Sequence, residues 1–200
     1  MFAHIFLASI LIISPVLGQN DDIEVAPYEV VETKASYEVR DYPARKWVST
    51  DNAAKDIHGG IEHSVSFDRL FQYISGNNVN NTKIDMTSPV TFFIQRSDDP
   101  EAEQEFTMSF YIPAVHQDDP IQPQAENVYI EDRAGFRVVA TEFGGFASSE
   151  DFEMAAQDLY ESATADGFDL ITETYYNAGY DSPYTIFNRR NEAWFVVRAV

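Results

Sequence analysis

One order of elements occurs twice in this chain of 200 residues: a strand, a helix and then two more strands. The first copy spans about residues 28–113 and the second about residues 127–200. Neither copy has the parallel crossover pattern of a βαβ unit. We therefore expect an α+β domain in which a mainly antiparallel sheet curls and two helices lie on it. Two repeats of this size also predict two lobes with a seam between them.

Both predicted helices have an apolar face and recognisable ends. In residues 61–75, five side chains share one helical face: His63, Phe67, Leu70, Phe71 and Ile74. Gly76 follows as a left-handed stop. The second helix begins at Ser148 and Asp151, which have the spacing of a capping box, and ends at Gly167.

Strands are predicted on both sides of each helix, where apolar residues alternate with polar ones. They cover residues 37–50, 84–94, 105–113, 136–143, 170–176 and 193–198. Pro43 interrupts the first of these strands, and Pro89 marks an edge or a bulge in the second. The segment Asn188 to Glu192 is interpreted as a polar turn with internal ion pairs and without a chemical role.

Residues 1–18 form an apolar run that is too short to span a bilayer and ends in small residues, which is typical of a secretory signal peptide. The run begins without a Lys or Arg, so an uncleaved amphipathic anchor is the alternative. No later segment has the length of a membrane span. We expect a secreted protein in which residues 19–200 form a single domain. Asn80, in Asn80-Asn81-Thr82, is a candidate N-glycosylation site.

The composition argues against several kinds of function. The chain has no cysteine, so disulfides, thiolate catalysis and Cys-ligated metal or haem are excluded. It also lacks the serine-hydrolase, zinc-protease and phosphate-loop motifs, so we expect no enzyme activity.

The formal charge of −20 disfavours nucleic acids and anionic lipid surfaces as partners and suits a cationic protein partner. The bases are concentrated in the first copy, at Lys34, Arg40, Arg45, Lys46, Lys55, Arg69 and Lys83. A small anionic ligand would therefore be attracted to that half of the chain.

An ordered set of short segments resembles the SOUL family of haem-binding proteins. The segments are Tyr37 to Arg40, Lys46 to Thr50, Lys83 to Val90, Phe110 to Pro113, Ala178 to Pro183 and Asn188 to Trp194. The resemblance extends from about Tyr28 to Arg198. It implies two pseudo-symmetric βαββ repeats that form a twisted, barrel-like sheet flanked by two helices. It also implies a shallow apolar groove for a tetrapyrrole near the first helix.

A haem site needs an apolar groove, bases for the propionates and, in some proteins, an axial ligand. The candidate residues are His63, Phe67, Arg69, Leu70 and Met86 around the first helix, Arg40 for a propionate, and Tyr180 and Tyr184 in an aromatic loop. His63 is the candidate axial ligand, and a packing role is the alternative for it.

One position departs from part of the family. Some members have a histidine, proposed as an axial ligand, where this chain has Asp41. A carboxylate is a poor ligand for haem iron, so we expect no axial coordination at that position; binding by apolar contact alone, or of an iron-free porphyrin or bile pigment, is compatible with it. The alternative function is an extracellular acidic interaction or matrix protein that keeps the fold without the pigment. A hydrolase that uses the same groove has less support.

Overall fold

The computed structural model describes residues 23–97, 99, 102–182 and 184–198. The predicted signal peptide, residues 1–18, lies outside the described residues. The described strands are β1 (Glu24–Val25), β2 (Glu29–Thr33), β3 (Glu38–Tyr42), β4 (Arg45–Ala54), β5 (Thr87–Ser88), β6 (Val90–Gln95), β7 (Gln104–Tyr111), β8 (Tyr129–Arg133), β9 (Phe136–Phe143), β10 (Thr174–Gly179) and β11 (Asn191–Val196). The helices are α1 (Ile61–Ile74) and α2 (Ser149–Ala165), and a 3-10 turn covers Ala114–His116.

Nine strands form one antiparallel sheet in the order β2-β3-β9-β11-β10-β6-β7-β4-β8. The remaining two described strands, β1 and β5, pair in parallel as a separate ribbon. The prediction of an α+β fold with two helices and a mainly antiparallel sheet is confirmed. The sheet is open, with β2 and β8 at its edges, so it does not close into a barrel.

The predicted strand over residues 37–50 is wrong as a single strand. Pro43 and Ala44 separate β3 from β4, and these two strands lie near opposite ends of the sheet order. The turn between β8 and β9 lies against this break, because a Cβ on Gly135 would come within 3.2 Å of the Tyr42 carbonyl oxygen. A tight turn that joins strands from opposite ends requires the sheet to curl.

Other strand boundaries also differ from the prediction. Pro89 divides the segment 84–94 into β5 and β6, and β10 and β11 are shifted from the predicted positions. Strand β8 was not predicted. It carries charged residues at three of its five positions, so it lacks the apolar alternation that indicates a buried strand.

Both helices match their predicted signals. Helix α1 ends just before Gly76, which has a φ of 117°. Helix α2 begins with a reciprocal capping box, in which the Ser148 hydroxyl accepts from the Asp151 backbone N–H and the Asp151 carboxylate accepts from the Ser148 backbone N–H. Gly167 follows it with a φ of 90°.

The two faces of the sheet carry different clusters of buried residues. The face covered by the helices holds the main core, which includes Val39, Leu70 and Phe195. Because side chains alternate along a strand, the neighbouring residues Arg40 and Trp194 point to the other face. A second cluster of mostly aromatic residues lies there.

Candidate functional site

The candidate ligand residues do not all lie together. His63, Phe67, Arg69, Leu70 and Met86 belong to α1 or to the segment that follows it, on the helix-covered face. Arg40 and Tyr180 instead lie in the cluster on the other face. The geometry therefore separates the predicted set into a surface along α1 and a buried centre across the sheet.

We use the name α1 shelf for four apolar residues that are partly buried or exposed: Phe67 and Phe71 of α1, with Met86 and Val90, which pack against the same core cluster as Phe67. The rings of Phe67 and Phe71 are stacked, with centroids 5.9 Å apart, and the Phe71 side chain is 48% exposed. Leu70 is fully buried beneath them, so it supports the shelf from the core. Arg69 lies on the other flank of α1, where its guanidinium donates to the Thr50 hydroxyl and the Asp51 carbonyl oxygen at 3.3 Å.

A loop with exposed apolar side chains begins beside the shelf. Tyr184, Ile186 and Phe187 are 91%, 67% and 80% exposed. The loop follows Gly179, which pairs with Val90 of the shelf in the sheet. The loop therefore begins at the strand position next to Val90.

His63 occupies the first turn of α1, half-buried beside the shelf. Its ring stacks on Phe92 with centroids 5.3 Å apart, and its Nδ1 lies 3.2 Å from the Ile57 carbonyl oxygen. Burial lowers the pKa of His63 and so favours the neutral ring. An Nδ1–H that donates to a carbonyl leaves Nε2 with its lone pair, the arrangement usual for a metal-binding histidine.

His58 is a neighbour of His63 that the sequence did not single out. Its ring stacks on Phe152 of α2 with centroids 4.2 Å apart, and its Nε2 lies 2.9 Å from the amide nitrogen of Asn177 in β10. Burial, together with the nearby His63, lowers the pKa of His58 to about 3. His58 therefore joins both helices to the sheet as a neutral side chain.

The buried centre on the other face is organised by Glu192, which is 0% exposed. Its carboxylate accepts hydrogen bonds from four side chains: Arg40 at 2.8 Å, Tyr180 at 2.9 Å, Trp194 at 2.7 Å and Arg190 at 2.9 Å. Burial opposes its ionisation, but Arg40 and Arg190 outweigh burial and hold the pKa of Glu192 below its usual range. We call these residues the Glu192 centre.

The Glu192 centre corrects three predictions, for Arg40, for Tyr180 and for the turn at residues 188–192. Arg40 is 3% exposed and bonded to Glu192, so it lies across the sheet from the α1 shelf and cannot meet a propionate there. Tyr180 is likewise buried, while Tyr184 in the same loop is exposed. The predicted ion pair within residues 188–192 is present between Arg190 and Glu192, but Glu192 belongs to strand β11 rather than to a turn.

A cleft of about 600 Å³ opens beside the Glu192 centre. It lies between the β2–β3 hairpin and β9, and its lining includes Lys34, Arg40 and Arg190 together with Glu38 and Glu142. Lys34 and Arg40 are among the bases predicted to attract an anion, but the cleft itself was not predicted, because the pairing of β3 with β9 brings together residues about a hundred positions apart.

Two further findings concern the described part of the chain. Asn80 is exposed in the loop after α1, and the buried Asn78 side chain holds that loop through hydrogen bonds to the Thr82 backbone and to the Asn80 backbone N–H.

Within the described ranges, no three side chains are grouped as a metal site would need, and no helix is long and apolar enough to cross a membrane.

Comparison with known proteins gives a match over nearly all of the described chain. The family model described as "SOUL heme-binding protein" matches residues 23–196. Heme-binding protein 2 of Homo sapiens is 37% identical over 171 residues, which are 86% of this chain and 82% of that protein. Heme-binding protein 1 of Bos taurus is 30% identical over 178 residues, covering 87% of this chain and 92% of that protein.

A solved structure shows the same fold at low identity. The crystal structure of the EcmrR C-terminal domain superposes with a TM-score of 0.60 at 13% identity, covering 86% of this chain and 99% of that domain.

Proposed function

Because this chain belongs to the SOUL heme-binding protein family, we propose that it is a non-enzymatic protein that binds haem or a related tetrapyrrole on the α1 shelf. The observation that carries the proposal is the exposed apolar surface beside α1. Phe71 and the loop residues Tyr184 and Phe187 expose between 48% and 91% of their side chains. Clustered exposed apolar side chains usually mark a binding surface, and the pairing of Gly179 with Val90 supports a position of this loop beside the shelf.

Contact with the macrocycle supplies most of the binding in this proposal. The stacked rings of Phe67 and Phe71 would form one wall, and the exposed side chains of Tyr184 and Phe187 would contact the macrocycle from the loop. Lys83, exposed in the segment between α1 and β5, is the base suited to a propionate, since Arg40 lies on the other face.

His63 is the candidate axial ligand because its ring is neutral and its Nδ1 faces a carbonyl oxygen. Haem would supply an iron atom with an open coordination position, which His63 Nε2 would fill. Asp41 does not compete for that role, because both of its carboxylate oxygens accept from Arg137, at 2.7 and 2.8 Å.

We also propose that the protein is secreted as residues 19–200 and glycosylated at Asn80. The apolar run at residues 1–18 and the exposure of Asn80 support this. The strand order supports the two-repeat organisation. The elements β4-α1-β6-β7 and β9-α2-β10-β11 occupy corresponding positions on the two sides of the β6–β10 pair.

The test is a titration of residues 19–200 with haemin, followed in the Soret band, and with protoporphyrin IX, followed by fluorescence. We expect saturable binding of both rings, and a Soret shift with haemin that is lost in His63→Ala while protoporphyrin IX affinity is retained. Saturation with neither ring would refute the proposal. It would then favour an acidic extracellular interaction protein that keeps the fold without pigment.

A further inference from the structure

We propose that the cleft beside the Glu192 centre is a second ligand site, which binds a small organic anion, an aromatic carboxylate or sulfonate, independently of the tetrapyrrole. Its volume of about 600 Å³ is within the range of small-molecule sites. The charged side chains that line it are three bases and two acids, and each base already has a carboxylate partner, which for Lys34 is Glu32 at 2.7 Å. An anion would therefore bind in the cleft by exchange with one of these carboxylates.

Each arginine in the cleft has one buried and one more exposed carboxylate partner. Arg40 is bonded at 2.8 Å to the buried Glu192 and at 2.8 Å to Glu38, whose side chain is 34% exposed. Arg190 is bonded to Glu192 and, at 3.1 Å, to Glu142, whose side chain is 58% exposed. Glu192 is thus the permanent partner of both arginines.

The exposed partners are the ones that a ligand can replace. Ion pairs at the surface contribute little to stability, since solvent screens them. When Glu38 or Glu142 turns outward, it becomes solvated, and its arginine is left with an unfilled donor that faces the cleft. A ligand carboxylate or sulfonate can accept from a guanidinium with the bidentate geometry that arginine favours.

The remaining lining suits the apolar part of such a ligand. Val30 of β2, which is 41% exposed, and Ala35 in the β2–β3 turn line one side, and Ala140 of β9 lines the floor. Tyr28 adds a ring whose other contacts, with Arg40 at 4.4 Å and with Tyr42 at 5.2 Å, hold it in place. The sheet separates this site from the α1 shelf, so the two ligands would not meet.

The test uses 1-anilinonaphthalene-8-sulfonate as the probe, followed by fluorescence and by the backbone amide shifts of ¹⁵N-labelled protein. We expect saturable shifts at Ala35, Ser36 and Thr141, which line the cleft. Val30→Trp should fill the cleft and weaken these shifts more than about tenfold. Val31→Trp is the matched control, because Val31 is exposed on the same strand but does not line the cleft.

A second pair of variants tests the exchange of partners. Glu142→Gln removes a competing carboxylate and should tighten binding of the probe several-fold, while Glu161→Gln, on the exposed face of α2, should leave it unchanged. Equal affinities for the two tryptophan variants, displacement of the probe by haemin, or saturable shifts confined to the α1 shelf would each overturn the proposal.

Discussion

Replacing Glu192 with Gln should lower the free energy of unfolding more than a Glu-to-Gln substitution at any exposed position. Gln has nearly the same shape as Glu, so the substitution creates no cavity and isolates the loss of charge. It leaves Arg40, which is 3% exposed, and Arg190 without their shared buried partner. Removal of one partner from a buried ion pair costs about 3–5 kcal/mol. For a chain of this length, that corresponds to a fall of roughly 6–20 °C in Tm.

The assay is urea unfolding at pH 7 followed by far-UV circular dichroism, with a thermal scan alongside it. Glu142→Gln is the control, because Glu142 pairs with the same Arg190 but has a side chain that is 58% exposed. Glu142→Gln should lower the free energy of unfolding by less than about 1 kcal/mol. In Arg40→Met with Glu192→Gln, the combined loss should be smaller than the sum of the single losses. Equal losses for Glu192→Gln and Glu142→Gln would show that water screens the Glu192 centre, and the reasoning would fail.

Three further predictions concern the helices and the loop after α1. His58 is neutral in the fold with a pKa of about 3, against an ordinary value of 6.5, so the unfolded chain takes up the proton first. Its contribution to stability is complete above pH 6.5 and is lost as the pH falls toward 3, by at most about 1.4 kcal/mol per pH unit. His58→Phe should flatten that part of a stability–pH curve and His116→Gln should not; an unchanged slope in His58→Phe would contradict the assignment. Phe71→Asp should weaken haemin binding more than about tenfold with little change in Tm. The control is Val115→Asp, at a site on the 3-10 turn that is 82% exposed, and it should bind haemin like the parent protein. Equal haemin affinities of the two variants would exclude the α1 shelf as the site. When the protein is secreted from eukaryotic cells, glycosidase treatment should lower the mass of the parent protein and of Asn81→Gly, which retains the acceptor sequence. The same treatment should leave the mass of Asn80→Gln unchanged. Identical masses for all three before treatment would exclude glycosylation at Asn80.

The helices could be predicted because their signals are local. The apolar periodicity of α1 spans about three turns and the capping box of α2 spans one turn, and both helices appear in the structure. The strands were less predictable, since their pairing depends on partners far along the chain. Strands β3 and β4 were predicted as one strand, because the sequence near Pro43 does not indicate that the two strands pair with different neighbours.

The same limit explains which parts of the candidate sites were missed. Phe67 and His63 were found because both lie on the predicted face of α1. Glu192 was interpreted as part of a polar turn, because a charged residue is rarely buried unless it is paired. Its partner Arg40 lies 152 positions away, so sequence spacing contains no sign of the pair.

The exchange of strands between the halves of the chain affects how the protein is made. Strand β3, near the start, pairs with β9 over five residue pairs, and β8 pairs with β4 over five more. An emerging chain therefore cannot complete the pairing of β3 and β4 until residue 140 has been synthesised. Contacts between such distant residues form slowly, because the long intervening loop must close first. The first half would thus leave the ribosome before its fold is complete. One edge of β3 and one edge of β4 would lack backbone hydrogen bonds until the second half provides β9 and β8.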